Sequence, residues 1–188
     1  LAGLEDPSAG TLQLDGCETL TTLRYESWEE QVAYIPQDSM IFHASLRENL
    51  TFYNPQASDE QVRTVVEKLG LGELLAQLPQ GLDTLIGEGA RGLSEGQAQR
   101  IALARVVLDE RKRIVLFDEP TAHLDIETEM ELKQAMVEVM QGRLVVFATH
   151  RLHWLDTLDY LLVLEEGKLV EQGTTAELLE NGAHFAAL

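Results

Sequence analysis

Two dense apolar runs carry the strongest strand signal in this sequence. The first covers residues 114–117 and the second residues 144–148. Neither run alternates with polar positions, a pattern typical of parallel strands buried on both faces. Residues 127–140 between them have helical spacing, and together the three segments predict a βαβ unit with a right-handed crossover. The predicted apolar side of the helix consists of Met130, Met136, Val137 and Met140.

The stretch between the first turn signals and this unit is predominantly helical in pattern. Apolar residues at helical spacing over residues 62–69 predict a helix that ends at Gly70. Capping-box spacing occurs in the pairs Ser45 with Glu48 and Ser58 with Gln61. We therefore expect a helical subdomain, approximately residues 45–108, inserted in the α/β core.

Short strands are predicted towards both ends of the chain, at residues 11–14, 32–35, 160–164 and 168–171. The first runs into a turn signal at Asp15 and Gly16, and the second stops at Pro36, which a central strand tolerates poorly. The last two flank a tight turn and predict a hairpin, followed by a short helix at about residues 175–179. The predicted fold class is α/β, with a parallel-sheet core, an inserted helical subdomain and a small antiparallel β part.

The composition and charge of the chain disfavour some classes of binding partner. The 188 residues are 45% hydrophobic and 24% charged, as in a globular rather than a disordered chain. The formal net charge of −18 disfavours binding to nucleic acid or to an anionic membrane surface. Cys17 is the single cysteine, which excludes an intrachain disulfide. No apolar run approaches the roughly 20 residues that span a bilayer.

A capped helix start provides the first candidate binding site. Ser94 and Gln97 have capping-box spacing, so a helix is predicted from Ser94. Its free N–H groups and the positive end of its dipole would form an anion site, which Gly96 would let a bound group approach closely. Taken alone, the segment is more simply an ordinary capped helix with residues 101–104 packed in the core.

Polar side chains at strand ends provide the second candidate site. Asp118 and Glu119 follow a predicted buried strand, where Asp118 could hold Mg²⁺ while Glu119, pointing the opposite way, activates a water as general base. His150 ends the neighbouring strand, roughly 5 Å away, and could reach the same site. Gln37 could bind metal or water. Each residue alone also has a plainer interpretation as a solvated turn, a strand cap or a hinge.

The order of these features along the chain is more specific than any one of them. It runs through Gln37, residues 93–97, the Asp118-Glu119 pair, residues 122–125 and His150. This order resembles the nucleotide-binding domain of ABC ATPases over nearly the whole chain. The resemblance implies a P-loop NTPase-like fold and a single ABC ATPase domain over residues 1–188.

The same resemblance implies ATP and Mg²⁺ as cofactors and gives each residue a role. Asp118, the Walker B aspartate, would hold Mg²⁺ together with Gln37 of the Q-loop. Glu119 would be the catalytic base and His150 the switch histidine, and Asp125 of the D-loop would contact nucleotide. The signature motif, which would also contact nucleotide, is formed by Ser94, Glu95, Gly96 and Gln97.

Three segments of the sequence resemble exporters that are fused to transmembrane helices, most of all the CydD subfamily of bacterial thiol exporters. These segments are residues 34–50, 94–100 and 117–125. This implies export of cysteine or glutathione, which supports cytochrome bd assembly, by a translocase-class ATPase. Its partners would be transmembrane domains and a CydC-like second ABC subunit in a heterodimer, with no nucleic acid. The domain would lie at the cytoplasmic face of the plasma membrane, with Glu88 coupling it to transmembrane loops.

The sequence departs from the family pattern at two points, and each departure leads to a separate expectation. The sequence contains no G-x-x-x-x-G-K-[ST], the phosphate loop that the family has just upstream of the stretch matching residues 1–4. We therefore expect a truncated fragment that by itself binds ATP poorly and exposes a sheet edge. Glu95 replaces the usual glycine. Its charge complements the dipole of the free helix but should repel a nearby triphosphate, unless the side chain points aside and does neither. We expect its signature to serve the weaker of two sites in a heterodimer.

Two other functions compete with the exporter ATPase. A soluble ABC ATPase of DNA repair would carry a long coiled coil between Gln37 and Ser94, and no heptad run lies there. A truncated, non-catalytic remnant is favoured by the missing phosphate loop, but such a chain has no need to retain Glu119 and His150.

Overall fold

The computed structural model describes residues 2–3, 5–14, 18–20, 26–87, 92–181 and 185. It divides into two compact units, Leu1–Ala148 and Thr149–Leu188. The predicted turn at Asp15 and Gly16, together with Cys17 and Glu88, lies outside the described residues.

A parallel sheet of three strands forms the centre of the first unit. Its strands are β3 (Val32–Ile35), β6 (Ile114–Asp118) and β7 (Leu144–Ala148), in the order β3-β6-β7. Helix α6 (Ile126–Met140) connects β6 to its parallel neighbour β7, which confirms the predicted βαβ unit. β3 occupies an edge of the described sheet, as Pro36 at its end predicted.

The prediction that both long apolar runs are buried on both faces was wrong for β7. The middle of β6 is buried, but in β7 Leu144 is 64% and Val146 40% exposed. Half-buried and exposed positions alternate along β7, so only one of its faces is covered. An apolar run indicates that a strand can be buried, but it does not report whether a second layer covers it.

The predicted apolar side of α6 was also partly wrong. Met136 is buried as predicted, but Met130 is 58% exposed. The residues that α6 buries are Glu129, Leu132, Ala135, Met136 and Val139. This stripe includes a carboxylate, Glu129, which a hydrophobic pattern assigns to the solvent side. The true buried face was therefore missed by about one position.

Helices predominate between residues 45 and 108. They are α2 (Leu46–Leu50), α3 (Asp59–Lys68), α4 (Gly72–Gln77) and α5 (Glu95–Val107), accompanied by a two-stranded pairing of β4 (Ala44–Ser45) with β5 (Leu85–Ile86). All three predicted capping boxes are present, with Ser45, Ser58 and Ser94 as N-caps. The subdomain limits 45–108 remain a prediction.

Antiparallel strands flank the core in sequence. β1 (Leu12–Leu14) pairs with β2 (Glu18–Leu20), and a short helix α1 (Glu26–Glu29) precedes β3. The predicted α/β class, with a parallel sheet, helices and small antiparallel strands, is confirmed.

The predicted C-terminal hairpin is confirmed in the second unit. β8 (Leu161–Glu165) pairs with β9 (Lys168–Gly173), and α7 (Thr175–Asn181) follows. Glu166 and Gly167 have φ values of 48° and 74°, the left-handed pair that a two-residue hairpin turn requires. α7 and the hairpin share a small core of Leu161, Leu178 and Phe185.

The end of α3 is closed by a glycine in the left-handed region, as the sequence predicts. Gly70 has a φ of 66°, and its N–H donates to Glu67 O at 3.1 Å. The N–H of Leu71 donates to Val66 O at 2.8 Å, which completes a Schellman motif. Arg100 Nη1 donates to Leu69 O at 2.9 Å and so ties this end of α3 to α5.

We expect Gly70→Ala to destabilise the protein by at least about 1–2 kcal/mol, because an L-residue has that cost in a left-handed conformation and because the added Cβ would lie 2.8 Å from Arg100 Nη1. Gly72→Ala is the matched control, since Gly72 lies in the first turn of α4 with nothing within 4 Å of its added Cβ. Thermal unfolding should show a lower Tm for the first variant only. Equal Tm values for the two variants would contradict the assignment.

Candidate functional site

The candidate site is built where β3 and β6 end side by side. The register pairs Ile35 with Phe117, so the segment with Gln37 after β3 begins beside Asp118, the last residue of β6. Tyr34 OH donates to Asp118 Oδ2 at 2.7 Å. That hydrogen bond, followed by burial and the charge of Asp118, raises the pKa of Tyr34 above its usual 10. The phenol thus orients the Asp118 carboxylate. Sequence analysis missed this role because it assigned Tyr34 only to a strand.

Glu119 lies in a left-handed turn directly after β6. Its φ is 44°, a conformation that costs an L-residue roughly 1–2 kcal/mol. Its N–H donates to Ala148 O at 2.9 Å, and its carbonyl accepts from Ala122 N at 3.0 Å. β6 ends at Asp118, so strand alternation, on which the prediction of opposite side-chain directions rested, no longer applies at Glu119. The turn decides where Glu119 points.

The loop after β3 contacts two other parts of the candidate site. Gln37 Nε2 lies 2.7 Å from His123 Nε2, which is 3.6 Å from Asp38 Oδ1. Ser39 Oγ donates to Gln99 Oε1 on α5. The loop is therefore bonded both to the segment after Glu119 and to α5. Sequence analysis had assigned no role to His123.

A small cavity marks where these segments meet. It has a volume of about 120 Å³, and its lining includes Gln37, Glu95, Gln99, His123 and Leu124. The structure thus brings Gln37 and Glu95 to one place, while Asp118 and Glu119 are not among the lining residues. A larger cavity of about 790 Å³ lies between α3 and the end of α5, lined in part by Val65, Val107 and Arg111, and contains none of the predicted site residues.

The start of α5 has the predicted cap and an additional packing constraint. Ser94 Oγ accepts from Gln97 N at 3.2 Å, and Gln97 Oε1 accepts from Ser94 N at 3.1 Å. Gly96 is buried, and a Cβ added to it would lie 2.8 Å from Thr128 Cγ2 of α6. Close packing of α5 on α6 is thus one reason for glycine here, besides the predicted approach of a ligand.

Asp125 is the N-cap of α6. Its Oδ1 accepts from Thr128 N at 3.0 Å and from Glu127 N at 3.1 Å, and its Oδ2 accepts from Thr128 Oγ1 at 2.8 Å. These bonds, led by the backbone N–H of Thr128, lower the pKa of Asp125. Its carboxylate is used for capping, and its predicted contact with nucleotide stays a prediction.

A buried polar network that sequence analysis missed joins α2 to α5. Arg105 Nε donates to Asn49 O at 2.8 Å and Nη2 to Asn49 Oδ1 at 3.1 Å. The guanidinium also lies over the rings of Phe42 and Phe52, whose centroids are 4.8 Å apart. Burial lowers the pKa of Arg105. The sequence signal was an arginine inside an apolar helical run, a position that needs buried partners.

Comparison with known proteins identifies the family. The sequence matches the ABC transporter family over residues 1–122. The chain belongs to the ABC transporter family. It is 46% identical over 188 residues to the glutathione/L-cysteine transport system ATP-binding/permease protein CydC of Bacillus subtilis (strain 168), covering 100% of the chain and 33% of that protein. It is 36% identical over 180 residues to the CydC protein of Escherichia coli (strain K12), covering 96% and 31%.

A solved ABC exporter has the same fold. The structure of a bacterial Atm1-family ABC exporter with ATP bound superposes with a TM-score of 0.85 at 33% identity, covering 100% of this chain and 32% of that one. This ABC chain is thus of the exporter nucleotide-binding type and spans about a third of the length of these relatives. Across its described residues no helix is long and apolar enough to cross a membrane.

His150 belongs to the second unit of this ABC chain, whereas Glu119 belongs to the first. β7 does end beside the turn, since Ala148 O accepts from Glu119 N. The predicted meeting of the His150 side chain with Glu119 stays a prediction.

The donor set at the strand ends fits Mg²⁺. The described part of this ABC chain contains no group of three or more His, Cys, Asp or Glu side chains that could hold a metal ion. Gln37 and Asp118 offer an amide and a carboxylate oxygen at adjoining strand ends. Mg²⁺ typically takes one or two carboxylates and completes its shell with waters and substrate phosphates, so a full protein cage is not required.

The contact between Gly96 and Thr128 can be tested by a pair of substitutions. We expect Gly96→Ala to destabilise the ABC domain by about 1–3 kcal/mol through overpacking. Adding Thr128→Ser removes the opposing methyl but keeps the hydroxyl that bonds Asp125, so the double variant should recover most of the loss. Gly92→Ala, with nothing within 4 Å of its Cβ, is the control. Thermal unfolding without recovery in the double variant would contradict the packing role.

Proposed function

We propose that this chain is the ATP-binding and ATP-hydrolysing domain of an ABC exporter, a translocase-class ATPase. The end of β6 carries this proposal, because Asp118 is oriented there by a hydroxyl and Glu119 is held in a left-handed turn. Membership of the ABC transporter family supports it.

Each residue at the strand ends has a proposed chemical task. Asp118 and Gln37 hold Mg²⁺, which neutralises phosphate charge when bound. Tyr34 keeps the Asp118 carboxylate oriented through its hydroxyl. Glu119 accepts a proton from the water whose oxygen bonds to the terminal phosphorus of ATP, while the bond to the bridging oxygen breaks and ADP leaves. His150 is proposed as the switch histidine. Asp118, Gln37 and Tyr34 therefore bind or orient other groups, and the proton of the water is transferred to a carboxylate oxygen of Glu119.

The signature segment is proposed to serve the nucleotide of a second ABC subunit. α5 begins with free backbone N–H groups and a positive dipole end, which favour an anion. Asp125 lies at the start of α6, packed against that end through Thr128. The residues that would face nucleotide at the start of α5 are Ser94, Glu95, Gly96 and Gln97.

These 188 residues lack a phosphate loop, so we propose that they bind ATP poorly when taken alone. The sequence contains no G-x-x-x-x-G-K-[ST], and the chain spans only about a third of its relatives. Poor binding is expected because the loop supplies most phosphate contacts in this family.

Partners and cargo are proposed from the motif detail together with the relatives. We propose a thiol exporter of cysteine or glutathione at the cytoplasmic face of the plasma membrane, built as a CydC–CydD heterodimer. Motif detail favours the CydD-type subunit with a CydC-like partner, and the two CydC relatives support the thiol-exporter pair as a whole.

An aromatic surface is proposed to receive the transmembrane part. Phe52 is 49% exposed and stacks on Phe42, and a Cβ at Gly87 would lie 2.7 Å from Phe42 O. Gly87 directly precedes Glu88, the residue proposed to couple the domain to transmembrane loops.

Glu119→Gln in the complete transporter should lower ATP hydrolysis by roughly 10²–10⁴-fold, because the amide cannot accept the proton. ATP binding should persist. Glu60→Gln, an exposed acid in the first turn of α3, is the control. Phosphate release and nucleotide binding are measured together. Retained turnover in Glu119→Gln would refute Glu119 as the base, and a complete wild-type transporter without turnover would favour the non-catalytic remnant.

Glu95→Gly should raise turnover of the complete heterodimer up to about five-fold, since repulsion between two like charges a few ångströms apart in water is worth about 1 kcal/mol. Glu95→Gln separates charge from backbone freedom and should give a similar gain. The free domain should lose a little stability in both variants, because Glu95 complements the dipole of α5. An unchanged steady-state ATPase rate would contradict a weaker site.

A further inference from the structure

The turn after β6 is a chain of backbone hydrogen bonds that begins at Glu119. Ala122 N donates to Glu119 O at 3.0 Å, and Leu124 N donates to Thr121 O at 3.1 Å. At its far end Asp125 caps α6. None of these bonds by itself ties the middle of the turn to the body of the domain.

A buried side-chain contact does so, in addition to the exposed contact between Gln37 and His123. Thr121 Oγ1 donates to Glu129 Oε1 at 2.6 Å, and the two residues are 2% and 0% exposed. A fully buried carboxylate is costly unless hydrogen bonds satisfy it. Its presence on the core side of α6, where an apolar residue would pack more cheaply, calls for a role.

We propose that Thr121 and Glu129 form a positioning pair, which holds the turn in the conformation that aims Glu119 at the attacking water. The proposal rests on the function proposed above, in which Glu119 is the base. Neither member of the pair contacts the reacting atoms, and both act through the backbone of the turn.

The strained backbone at Glu119 is what the Thr121–Glu129 pair would stabilise. A left-handed glutamate persists only when its surroundings hold it, here through Ala148 O on one side and the turn on the other. α6 is a firm anchor, because the Asp125 cap and the contact between Gly96 and Thr128 fix its first turns. Without the Thr121 hydroxyl, the turn can relax towards the ordinary negative φ, and the Glu119 side chain would swing away.

Turnover and nucleotide affinity in the complete transporter test the pair. Thr121→Val keeps the shape of the side chain and removes its hydroxyl. We expect kcat to fall roughly 10- to 100-fold with ATP affinity and KM unchanged, as for a misplaced catalytic group. Thr121→Ser restores the hydroxyl and should return kcat to within about two-fold of wild type. Glu129→Met removes the acceptor and should match Thr121→Val.

The double variant Thr121→Val with Glu129→Met should lose no more than Glu129→Met alone, because the contact between the two side chains is already absent in that single variant. Thr84→Val is the matched control for stability. Thr84 is also buried, and its hydroxyl accepts from Gln80 N at 3.0 Å, away from the turn. It should lower Tm while leaving kcat unchanged.

The outcomes separate this inference from the proposed function. Wild-type kcat in Thr121→Val, with or without a lower Tm, would overturn the positioning pair, as would additive losses in the double variant. Glu119→Gln is measured in the same series. If it abolishes turnover while Thr121→Val does not, the positioning pair alone is wrong. If it has no effect, the proposed base is wrong, and the pair loses its basis with it.

Discussion

The parallel pairing of β3 with β6 is the constraint on which the candidate site depends. Its register places Ile35 beside Phe117, and so brings the segment after β3 to the end of β6. The hydroxyl of Tyr34 then reaches Asp118, because the two residues lie on the same face of neighbouring strands. A slip of one residue would turn Tyr34 to the other face and remove that contact. The loop that follows β3 contacts both α5 and the turn after β6. The pairing of β3 with β6 therefore helps to fix the relative positions of these three segments.

Local signals were enough to predict the longer strands and helices, but not the short elements β2, β4, β5, α1 and α4 or all of the surroundings. Capping at Ser45, Ser58 and Ser94 and the glycine at position 70 were readable because each depends on residues within one helical turn. The exposed face of β7 and the buried carboxylate of Glu129 were not, since burial is decided by what packs from elsewhere. The contacts of Tyr34 with Asp118 and of Asn49 with Arg105 join residues far apart in sequence, and no spacing rule reports them.

Two residues that are predicted to bind nucleotide, Gly96 and Asp125, also have structural roles. Gly96 allows α5 to pack on α6, and Asp125 holds the first turn of α6 through its carboxylate. These structural roles do not exclude contact with nucleotide, but they mean that the loss of activity in a variant at either residue has two possible origins. Motif recognition predicted a binding role for both positions, and the three-dimensional contacts add a structural role. Experiments that separate the two need a partner substitution or a stability measurement alongside turnover.

The close approach of Gly96 to Thr128 also has an evolutionary consequence. With 2.8 Å between a new Cβ and the threonine methyl, the two positions cannot enlarge independently. A lineage that replaces the glycine with alanine needs a smaller residue at the facing position first, or in the same step. Sequence change at the signature is therefore ordered by a neighbour on another helix, and the two positions are expected to covary among descendants of this domain.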